Sequence, residues 1–255
     1  MRARVVRGMR SGLYGVFLAL SVGVLGVACL PVLLLPRRAV MRVVRFWAKL
    51  ALSALRVIVG IDSELRGFER LPDTPVIIAA KHQSAWETIV FLAVLPLPAY
   101  VLKRELLSLP VYGWYTRRLG MIAIDRKGGA ASLRRMMAAA RQAVADGRPI
   151  VIFPEGTRTP PGTSRPLHSG VAALYAALDL PVVPVALNSG LFWRRGFWDK
   201  RAGRILCEIQ PALPPGLERA ELMQRLASAI GDGSRLLERE ARAAGDGEPE
   251  PSASP

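Results

Sequence analysis

Hydrophobic and polar positions divide the chain into an apolar N-terminal part and a longer part of mixed character. The stretch Gly12–Leu35 contains no charged residue. As a helix it would be about 36 Å long, enough to cross a hydrocarbon core of about 30 Å. A second apolar segment, Phe46–Ile61, carries polar side chains at 49, 53 and 56 on one helical face. We therefore predict a membrane anchor over residues 1–60, built from an apolar helix and an amphipathic helix.

The placement of this anchor in a bilayer is open. Basic residues flank the apolar stretch on both sides, so the positive-inside rule does not decide its orientation. A helix that crosses the bilayer and a helix pair inserted into one leaflet both fit the pattern. A cleaved signal peptide is disfavoured by the length of the stretch. Lipidation at Cys29 is disfavoured because Gly26, not leucine, stands three residues before it.

After Gly60, short runs rich in Val and Ile alternate with helical patterns, which predicts an α/β fold with a mostly parallel sheet flanked by helices. We assign residues 61–244 to this domain and 245–255 to a disordered tail. A final helix is expected over 217–244, interrupted at residues 231–233. The predicted strands are Val76–Ala80, Ala99–Leu102, Met121–Ile124, Ile150–Phe153, Val182–Leu187 and Ile205–Ile209. The other predicted helices lie at 86–95, 108–118, 129–146 and 168–178.

Composition and charge exclude several classes of protein. The 255 residues include two cysteines and two histidines, so we expect no disulfide framework, no structural metal and no covalent cofactor. The net charge is +15, but residues 1–60 hold ten Lys and Arg residues and no acid. Since this charge surrounds apolar helices and no nucleic-acid-binding motif accompanies it, we expect a membrane partner and no nucleic acid.

The first candidate for chemistry is the sequence Lys-His-Gln-Ser-Ala-Trp-Glu-Thr, residues 81–88. His82 stands at a strand-to-helix junction, where open α/β sheets place their active sites. A neutral imidazole there can act as a general base, and Glu87 could orient it if His82 precedes the helix. Ser84 and Glu87 also match a helix capping box. The two interpretations are compatible, because a carboxylate has two oxygens.

Charged clusters follow three other predicted strands. Asp125 and Arg126 end one strand, where the arginine could bind a phosphate or the pair could be a solvated turn. The loop Pro154–Arg158 follows another strand, and its glycine allows Glu155 and Arg158 to face one pocket. There Arg158 would bind an anion and Glu155 would accept a hydrogen bond from a substrate hydroxyl. Lys103, followed by another basic residue, could add a third positive group.

Taken together, these blocks resemble the glycerolipid acyltransferases, the family that includes the 1-acylglycerol-3-phosphate acyltransferases. Four blocks carry the resemblance over about residues 60–215, and the hexapeptide Phe-Pro-Glu-Gly-Thr-Arg is the most specific of them. They are His82-x4-Glu87, the strand end at 124–126, the hexapeptide at 153–158 and the Val-Val-Pro-Val strand at 182–185.

The resemblance implies a role for each matching residue. His82 would be the general base and Glu87 would orient it, although the family's usual residue at this second position is Asp. The strand around Pro184 would line the acyl-donor side. His168 is expected to be a surface residue. The rest of the predicted substrate-binding set is Ser84, Lys103, Thr157, Arg126, Glu155, Gly156 and Arg158. Of these residues, Arg126, Glu155, Gly156 and Arg158 would hold the glycerol phosphate.

The resemblance also implies a reaction and a location. The enzyme would transfer a fatty acyl group from acyl-carrier protein or acyl-CoA to the sn-2 hydroxyl of lysophosphatidic acid, giving phosphatidic acid. It would lie at the bacterial inner membrane, with its catalytic domain at the cytoplasmic face. Acylation of another lysolipid, such as a lyso-ornithine lipid or a lysophospholipid, is the alternative within the class. A non-catalytic membrane adaptor is the alternative outside it. No Gly-x-Ser-x-Gly motif points to a serine hydrolase.

Overall fold

A computed structural model describes residues 2–125, 128–194, 196 and 198–246. Over these residues the chain forms one sheet of seven strands and seven α-helices. The strands are β1 Ile61–Arg66, β2 Ile77–Ala80, β3 Ala99–Lys103, β4 Ile122–Ile124, β5 Ile150–Ile152, β6 Val182–Leu187 and β7 Gly203–Ile209. The helices are α1 Arg2–Ala28, α2 Arg37–Ala54, α3 Trp86–Val94, α4 Tyr112–Arg118, α5 Gly129–Ala145, α6 Gly170–Leu178 and α7 Arg219–Ala243.

The strand order in the sheet is β1-β7-β6-β2-β5-β3-β4. Five neighbouring strands, from β6 to β4, run parallel to one another. β7 is antiparallel to β6, and β1 is parallel to β7. The carboxyl ends of β2, β3, β4, β5 and β6 therefore lie along one edge of the sheet, and the loops that leave these ends can build a common site.

Two apolar layers cover the sheet, because successive side chains of a strand point to opposite faces. Ile78 and Val183 face a layer that includes α2 and α3, while Ile77 and Val182 face a layer with α5, α6 and α7. Burial on both faces explains why β2, β5 and β6 are near-continuous runs of apolar residues.

The two N-terminal helices are part of the first apolar layer. Tyr14 of α1 is completely buried, and its hydroxyl donates a hydrogen bond to the Ala51 carbonyl of α2 at 3.2 Å. Trp47 Nε1 donates to Ser21 Oγ at 3.0 Å. Burial of this tyrosine raises the pKa of its hydroxyl well above the usual value. Helices α1 and α2 are thus packed against each other and against the sheet.

The predicted α/β architecture is confirmed. All six predicted strands are present, and each of their boundaries lies within two residues of the expected position. Strand β1 was missed because its sequence, Ile-Asp-Ser-Glu-Leu-Arg, is mostly polar and resembles a turn. It is an edge strand that pairs with β7 alone among the described strands, and an edge strand tolerates polar side chains.

Several predicted helix boundaries are wrong. The apolar helix ends at Ala28, since Pro31 lies in a short 3₁₀ turn over Leu30–Leu34. The second helix begins at Arg37, nine residues before the predicted start at position 46. The helix expected from residue 108 begins at Tyr112.

The predicted interruption at residues 231–233 is absent, and α7 is continuous. The glycine at 233 has a packing role, because a Cβ there would lie 2.8 Å from the Cβ of Ala186 on β6. The residues of the predicted tail from 247 onward, like Arg126, lie outside the described residues. The division into an anchor, a domain and a tail stays a prediction.

Candidate active site

His82 lies two residues after the end of β2 and four residues before the start of α3. It therefore precedes the helix, and its Nδ1 approaches Glu87 Oε1 to 2.8 Å. A carboxylate accepts, so Nδ1–H is the donor and Nε2 is the ring nitrogen left for a substrate. The one-methylene difference from the family's usual aspartate does not prevent the contact.

The carboxylate of Glu87 is fully buried, and each of its two oxygens accepts hydrogen bonds. Besides His82, Oε1 accepts from the main-chain amides of Gln83 at 2.7 Å and Ser84 at 2.6 Å. Oε2 accepts from the hydroxyls of Ser84 and Ser189, both at 2.8 Å. One carboxylate therefore holds both the main chain just before α3 and the imidazole; the predicted bond from Glu87 to the Ser84 amide is present, while the residue at the N-cap of α3 is Ala85.

Ser189 is a component of the site that the sequence analysis missed. It follows β6 and reaches Glu87 across a separation of 102 residues. A serine after a buried strand has no distinctive sequence signal, so only the adjacency of β6 and β2 in the sheet brings it to the carboxylate.

The environment of Glu87 has opposing effects on its pKa. Burial raises the pKa, while the hydrogen bond and charge of His82 and the hydrogen bonds of Ser84 lower it. The lowering effects are larger, so the pKa of Glu87 lies below its ordinary value. The carboxylate is therefore ionised near neutral pH and can stabilise an imidazolium on His82.

Phe153 forms the other support of the imidazole. Its ring stacks on the His82 ring with a centroid distance of 4.4 Å and an angle of 24° between the planes. The hydrogen bond to Glu87 fixes one edge of the imidazole and the phenyl ring covers one face. Because both contacts act on the ring, its orientation in the site is set before any substrate binds.

A buried ion pair joins the loops after β2 and β5. Lys81 Nζ lies 2.6 Å from Glu155 Oε1, and the two side chains are 4% and 2% exposed. Glu155 Oε2 accepts a hydrogen bond from the His82 amide at 3.0 Å, and the Thr159 amide donates to the His82 carbonyl at 2.7 Å. The loop after β5 thus binds both the amide N–H and the carbonyl oxygen of His82.

This ion pair corrects the prediction for Glu155. We expected its side chain to face the pocket beside Arg158, but it points into the protein because it neutralises the ammonium group of Lys81. Lys81 had no predicted role. A lysine beside a histidine does not reveal from sequence alone that it is buried.

Two further residues of the predicted substrate-binding set are also placed away from the cavity. Ser84 is buried, and its hydroxyl is used by Glu87 and by the Trp86 amide. Pro184 is buried in the middle of β6, where it pairs with Ala79. Neither belongs to the described residues that line the cavity beside His82, so substrate contacts by Ser84 and by the strand around Pro184 stay predictions.

Four other members of the set border the cavity together with His82. They are Lys103, Gly156, Thr157 and Arg158. Gly156 has φ of 66°, a left-handed conformation that favours glycine. Arg158 makes no ion pair within the part of the chain that the structure describes, whereas Lys103 lies 3.1 Å from Glu105. Arg126, the remaining member, lies outside the described residues. His168 is exposed, as predicted.

The cavity has a volume of about 740 Å³ and a polar end formed by His82 and Arg158. Its remaining wall is mostly apolar and comes from α1, α2, α3, β3 and α4. This combination of an apolar chamber with a base and a cation at one end suits an amphiphilic ligand. Val22, Leu25, Val44, Leu92, Val101 and Leu102 are among the apolar side chains that line it.

One family model and two known proteins are similar to this chain in sequence. The family model named Acyltransferase matches residues 62–188. A 1-acyl-sn-glycerol-3-phosphate acyltransferase of Pseudomonas aeruginosa is 36% identical over 233 residues, which cover 89% of this chain and 91% of that protein. A lyso-ornithine lipid O-acyltransferase of the same organism is 28% identical over 210 residues, 74% and 77% of the two chains.

The fold is similar to that of a crystallised 1-acyl-sn-glycerophosphate (LPA) acyltransferase from Thermotoga maritima. The TM-score is 0.75, and the alignment covers 93% of this chain and 99% of that chain. The sequences are 24% identical, so this comparison supports the architecture.

We expect Lys81→Met to destabilise the protein by about 3–5 kcal/mol, because it leaves the buried Glu155 carboxylate without its counter-charge. Glu155→Gln in the same chain should recover part of the loss. Urea unfolding of the two single variants and the double variant gives the coupling energy. Lys103→Met is the matched control, since that lysine ends β3 and is 51% exposed. Equal effects of the two lysine variants would contradict the buried-pair assignment.

We also expect a defined pH dependence from Glu87. The pKa of Glu87 is lower in the folded protein than in the unfolded chain, where it is about 4.3. The ionised carboxylate therefore stabilises the folded protein fully above this value, and the stabilisation is lost as pH falls through the folded-state pKa. The Tm of the parent protein should therefore exceed that of Glu87→Gln by a constant amount near neutral pH. The difference should shrink below about pH 4. Glu218→Gln, at an exposed position just before α7, is the control. A Glu87→Gln difference that stays constant to pH 3 would contradict the lowered pKa.

Proposed function

This chain belongs to the glycerolipid acyltransferase family, and from that premise we propose that it transfers a fatty acyl group from an acyl thioester to the sn-2 hydroxyl of lysophosphatidic acid. The product is phosphatidic acid. The observation that carries the proposal is the arrangement of His82, Glu87 and Arg158, with a base held by a buried carboxylate and an arginine on the same cavity.

His82 acts as the general base in the proposed reaction. Nε2 takes the proton of the acceptor hydroxyl as its oxygen attacks the thioester carbonyl carbon. The ionised Glu87 stabilises the resulting imidazolium. The tetrahedral intermediate then expels the thiolate, which takes the proton from His82. The acyl group moves in one transfer from sulfur to oxygen, so no covalent acyl-enzyme is required.

Arg158 holds the phosphate of the acceptor. A guanidinium offers paired N–H donors to phosphate oxygens, and this guanidinium makes no ion pair within the described residues. Gly156 and Thr157 border the same end of the cavity, and Lys103 adds a positive charge. Arg126 belongs to this phosphate set by the family resemblance.

The apolar part of the cavity receives a fatty acyl chain. Each buried CH₂ group contributes about 0.8 kcal/mol to the transfer from water, so an acyl chain of ordinary length is held mainly by this surface. Helices α1 and α2 supply one side of the wall through Val22, Leu25 and Val44. The donor is acyl-CoA or acyl-carrier protein, since both present a thioester.

The protein is membrane-associated, with α1 as the apolar element. Over Arg4–Ala28 this helix is long and apolar enough to cross a bilayer. Yet Ser11, Tyr14 and Ser21 are buried, over a length of about 15 Å along the helix. A polar domain fixed along the helix cannot accompany it through the hydrocarbon core. We therefore infer that α1 lies in one leaflet, with its exposed apolar stripe in the lipid.

The exposed side of α2 suits the headgroup region of the same leaflet. Arg38, Arg42, Lys49 and Arg56 are exposed on this helix and its final turn, and an anionic surface attracts each of them. Because acyl thioesters are made in the cytoplasm, we place the catalytic domain at the cytoplasmic face of a bacterial inner membrane.

A lyso-ornithine lipid is the second candidate acceptor, because a curated acyltransferase for that lipid is 28% identical to this chain. The arginine at the polar end of the cavity favours a phosphate. Initial rates with lysophosphatidic acid, lyso-ornithine lipid and lysophosphatidylcholine, each with both thioester donors, decide between the acceptors. Lysophosphatidic acid should give the largest kcat/KM.

We expect His82→Ala to lower kcat for lysophosphatidic acid by about 10²–10⁴-fold, the usual contribution of a general base. Conversion of a labelled acyl thioester to phosphatidic acid measures it. His168→Ala is the control, because His168 is the exposed second histidine and should leave the rate within about twofold. A His82→Ala variant as active as the parent would mean that another group is the base, whereas a parent without activity on any of the lysolipids would support the non-catalytic adaptor.

For Arg158→Ala we expect the KM for lysophosphatidic acid to rise about 10–100-fold while kcat changes much less, because a charge-assisted hydrogen bond is lost in both ground and transition states. Arg165→Ala, at an exposed position of the following loop, should leave KM unchanged. An unchanged KM in Arg158→Ala would remove this residue from the phosphate site.

A further inference from the structure

Three large apolar side chains are exposed within one short segment beside the cavity. Leu109, Tyr112 and Trp114 are 48%, 42% and 43% exposed. We call residues 109–114 the aromatic segment. Single exposed apolar residues are common on protein surfaces, but three within six positions form a patch. The segment, Leu-Pro-Val-Tyr-Gly-Trp, contains no charged residue, and the exposed Arg117 follows it on α4.

The backbone of the aromatic segment is strained. Val111 has φ of 62° and ψ of −65°, and the Tyr112 amide donates a hydrogen bond to the Pro110 carbonyl at 2.6 Å. This is a γ-turn of the non-inverse type, which is rare and costs on the order of 1–3 kcal/mol for a β-branched residue. Such a conformation persists only where its surroundings fix it.

Contacts with α1 fix the turn. Val111 Cγ1 lies against Gly26 so closely that a Cβ at position 26 would overlap it. Tyr115, just after the segment, donates a hydrogen bond from its hydroxyl to the Gly26 carbonyl at 3.0 Å. The glycine at 113 is equally constrained, since a Cβ there would overlap the Leu107 carbonyl. The segment is therefore held against the last turns of α1 in one conformation.

The aromatic segment lies where the cavity meets α1. Val111 and Tyr112 line the cavity, as do Val22 and Gly26 of α1. Tyr112 is half exposed, so its side chain reaches from the cavity to the surface. On α1, Leu20, Val24 and Val27 of the exposed apolar stripe lie in the same C-terminal turns as this glycine. The apolar segment and the stripe that we assign to the bilayer thus both adjoin the C-terminal turns of α1.

We propose that the aromatic segment is a second membrane-contacting element, which inserts beside α1 into the same leaflet and sets the cavity at the bilayer surface. The inference rests on the proposed function, in which α1 lies in one leaflet. Tyrosine and tryptophan suit the headgroup boundary, because each combines a large apolar ring with a polar group. With α1 on one side and the segment on the other, a lysolipid reaches His82 from the bilayer without crossing water.

The test is the double variant Leu109→Ser/Trp114→Ser. Vesicles of phosphatidylethanolamine and phosphatidylglycerol should bind it at least tenfold more weakly than the parent in sedimentation. Its rate on vesicle-borne lysophosphatidic acid should fall by a similar factor. With a short-chain lysophosphatidic acid below its micellar concentration, the rate should stay within about twofold, because the segment is not part of the reacting groups.

The matched control is Leu133→Ser/Leu236→Ser. These leucines are 40% and 56% exposed on α5 and α7, which cover the opposite face of the sheet. The control should bind vesicles like the parent. If both double variants lose binding equally, general loss of surface apolarity explains the effect and the inference is overturned.

A separate variant distinguishes this inference from the proposed function. Leu13→Glu/Leu20→Glu places two charges on the exposed stripe of α1 and should release the protein from vesicles. If this variant is released while Leu109→Ser/Trp114→Ser binds like the parent, the aromatic segment is not a membrane contact and the proposed function stands. If neither variant is released, the one-leaflet placement of α1 fails as well.

Fluorescence quenching tests the segment without a large change of surface. Brominated acyl chains should quench the parent more strongly than Trp114→Phe, which removes the indole that we place in the leaflet. Equal quenching would overturn the inference. Size-exclusion chromatography in detergent gives a further test. A dimer for the parent and a monomer for Leu109→Ser/Trp114→Ser would also overturn the inference, because the patch would then be an interface between two copies of this chain.

Discussion

The burial of one carboxylate governs the geometry of the site. An ionised group can be removed from water only if its oxygens are fully hydrogen-bonded, and Glu87 meets this condition with five donors. Two of them are main-chain amides that fix the loop between β2 and α3. A third is the imidazole of His82, whose tautomer follows from the contact. The requirement to satisfy a buried charge thus leaves Nε2 of His82, the base in our proposal, with one orientation.

A second buried charge connects this loop to the rest of the sheet edge. Glu155 neutralises Lys81 and accepts from the His82 amide, so the loop after β5 is fixed to the loop after β2. The same loop continues into Gly156 and Arg158, which border the cavity. His82 and Arg158, the base and the anion-binding residue of our proposal, are therefore placed relative to each other by a buried ion pair.

The N-terminal helices serve both the core and the membrane. Tyr14 and Ala51 are buried in the apolar layer over the sheet, while Leu13, Val16 and Leu20 are exposed. One face of α1 packs on the protein and the other is available to lipid. Since α1 and α2 also line the cavity, the surface that we propose to meet the bilayer and the surface that we propose to meet an acyl chain belong to the same two helices.

The sequence by itself determined the α/β class, six of the seven strands, the apolar helix and the proximity of His82 to Glu87. These features are local, since each depends on the spacing of residues along one strand, one helix or one loop. The sequence could not place Ser189, Lys81 or the inward-facing Glu155, and it did not reveal that Ser84 and Pro184 are buried. Those positions depend on which strands are neighbours and on which side chains must neutralise buried charges. Only the tertiary structure decides them, because hydrogen bonds between residues 74 or 102 positions apart leave no periodic pattern in the chain.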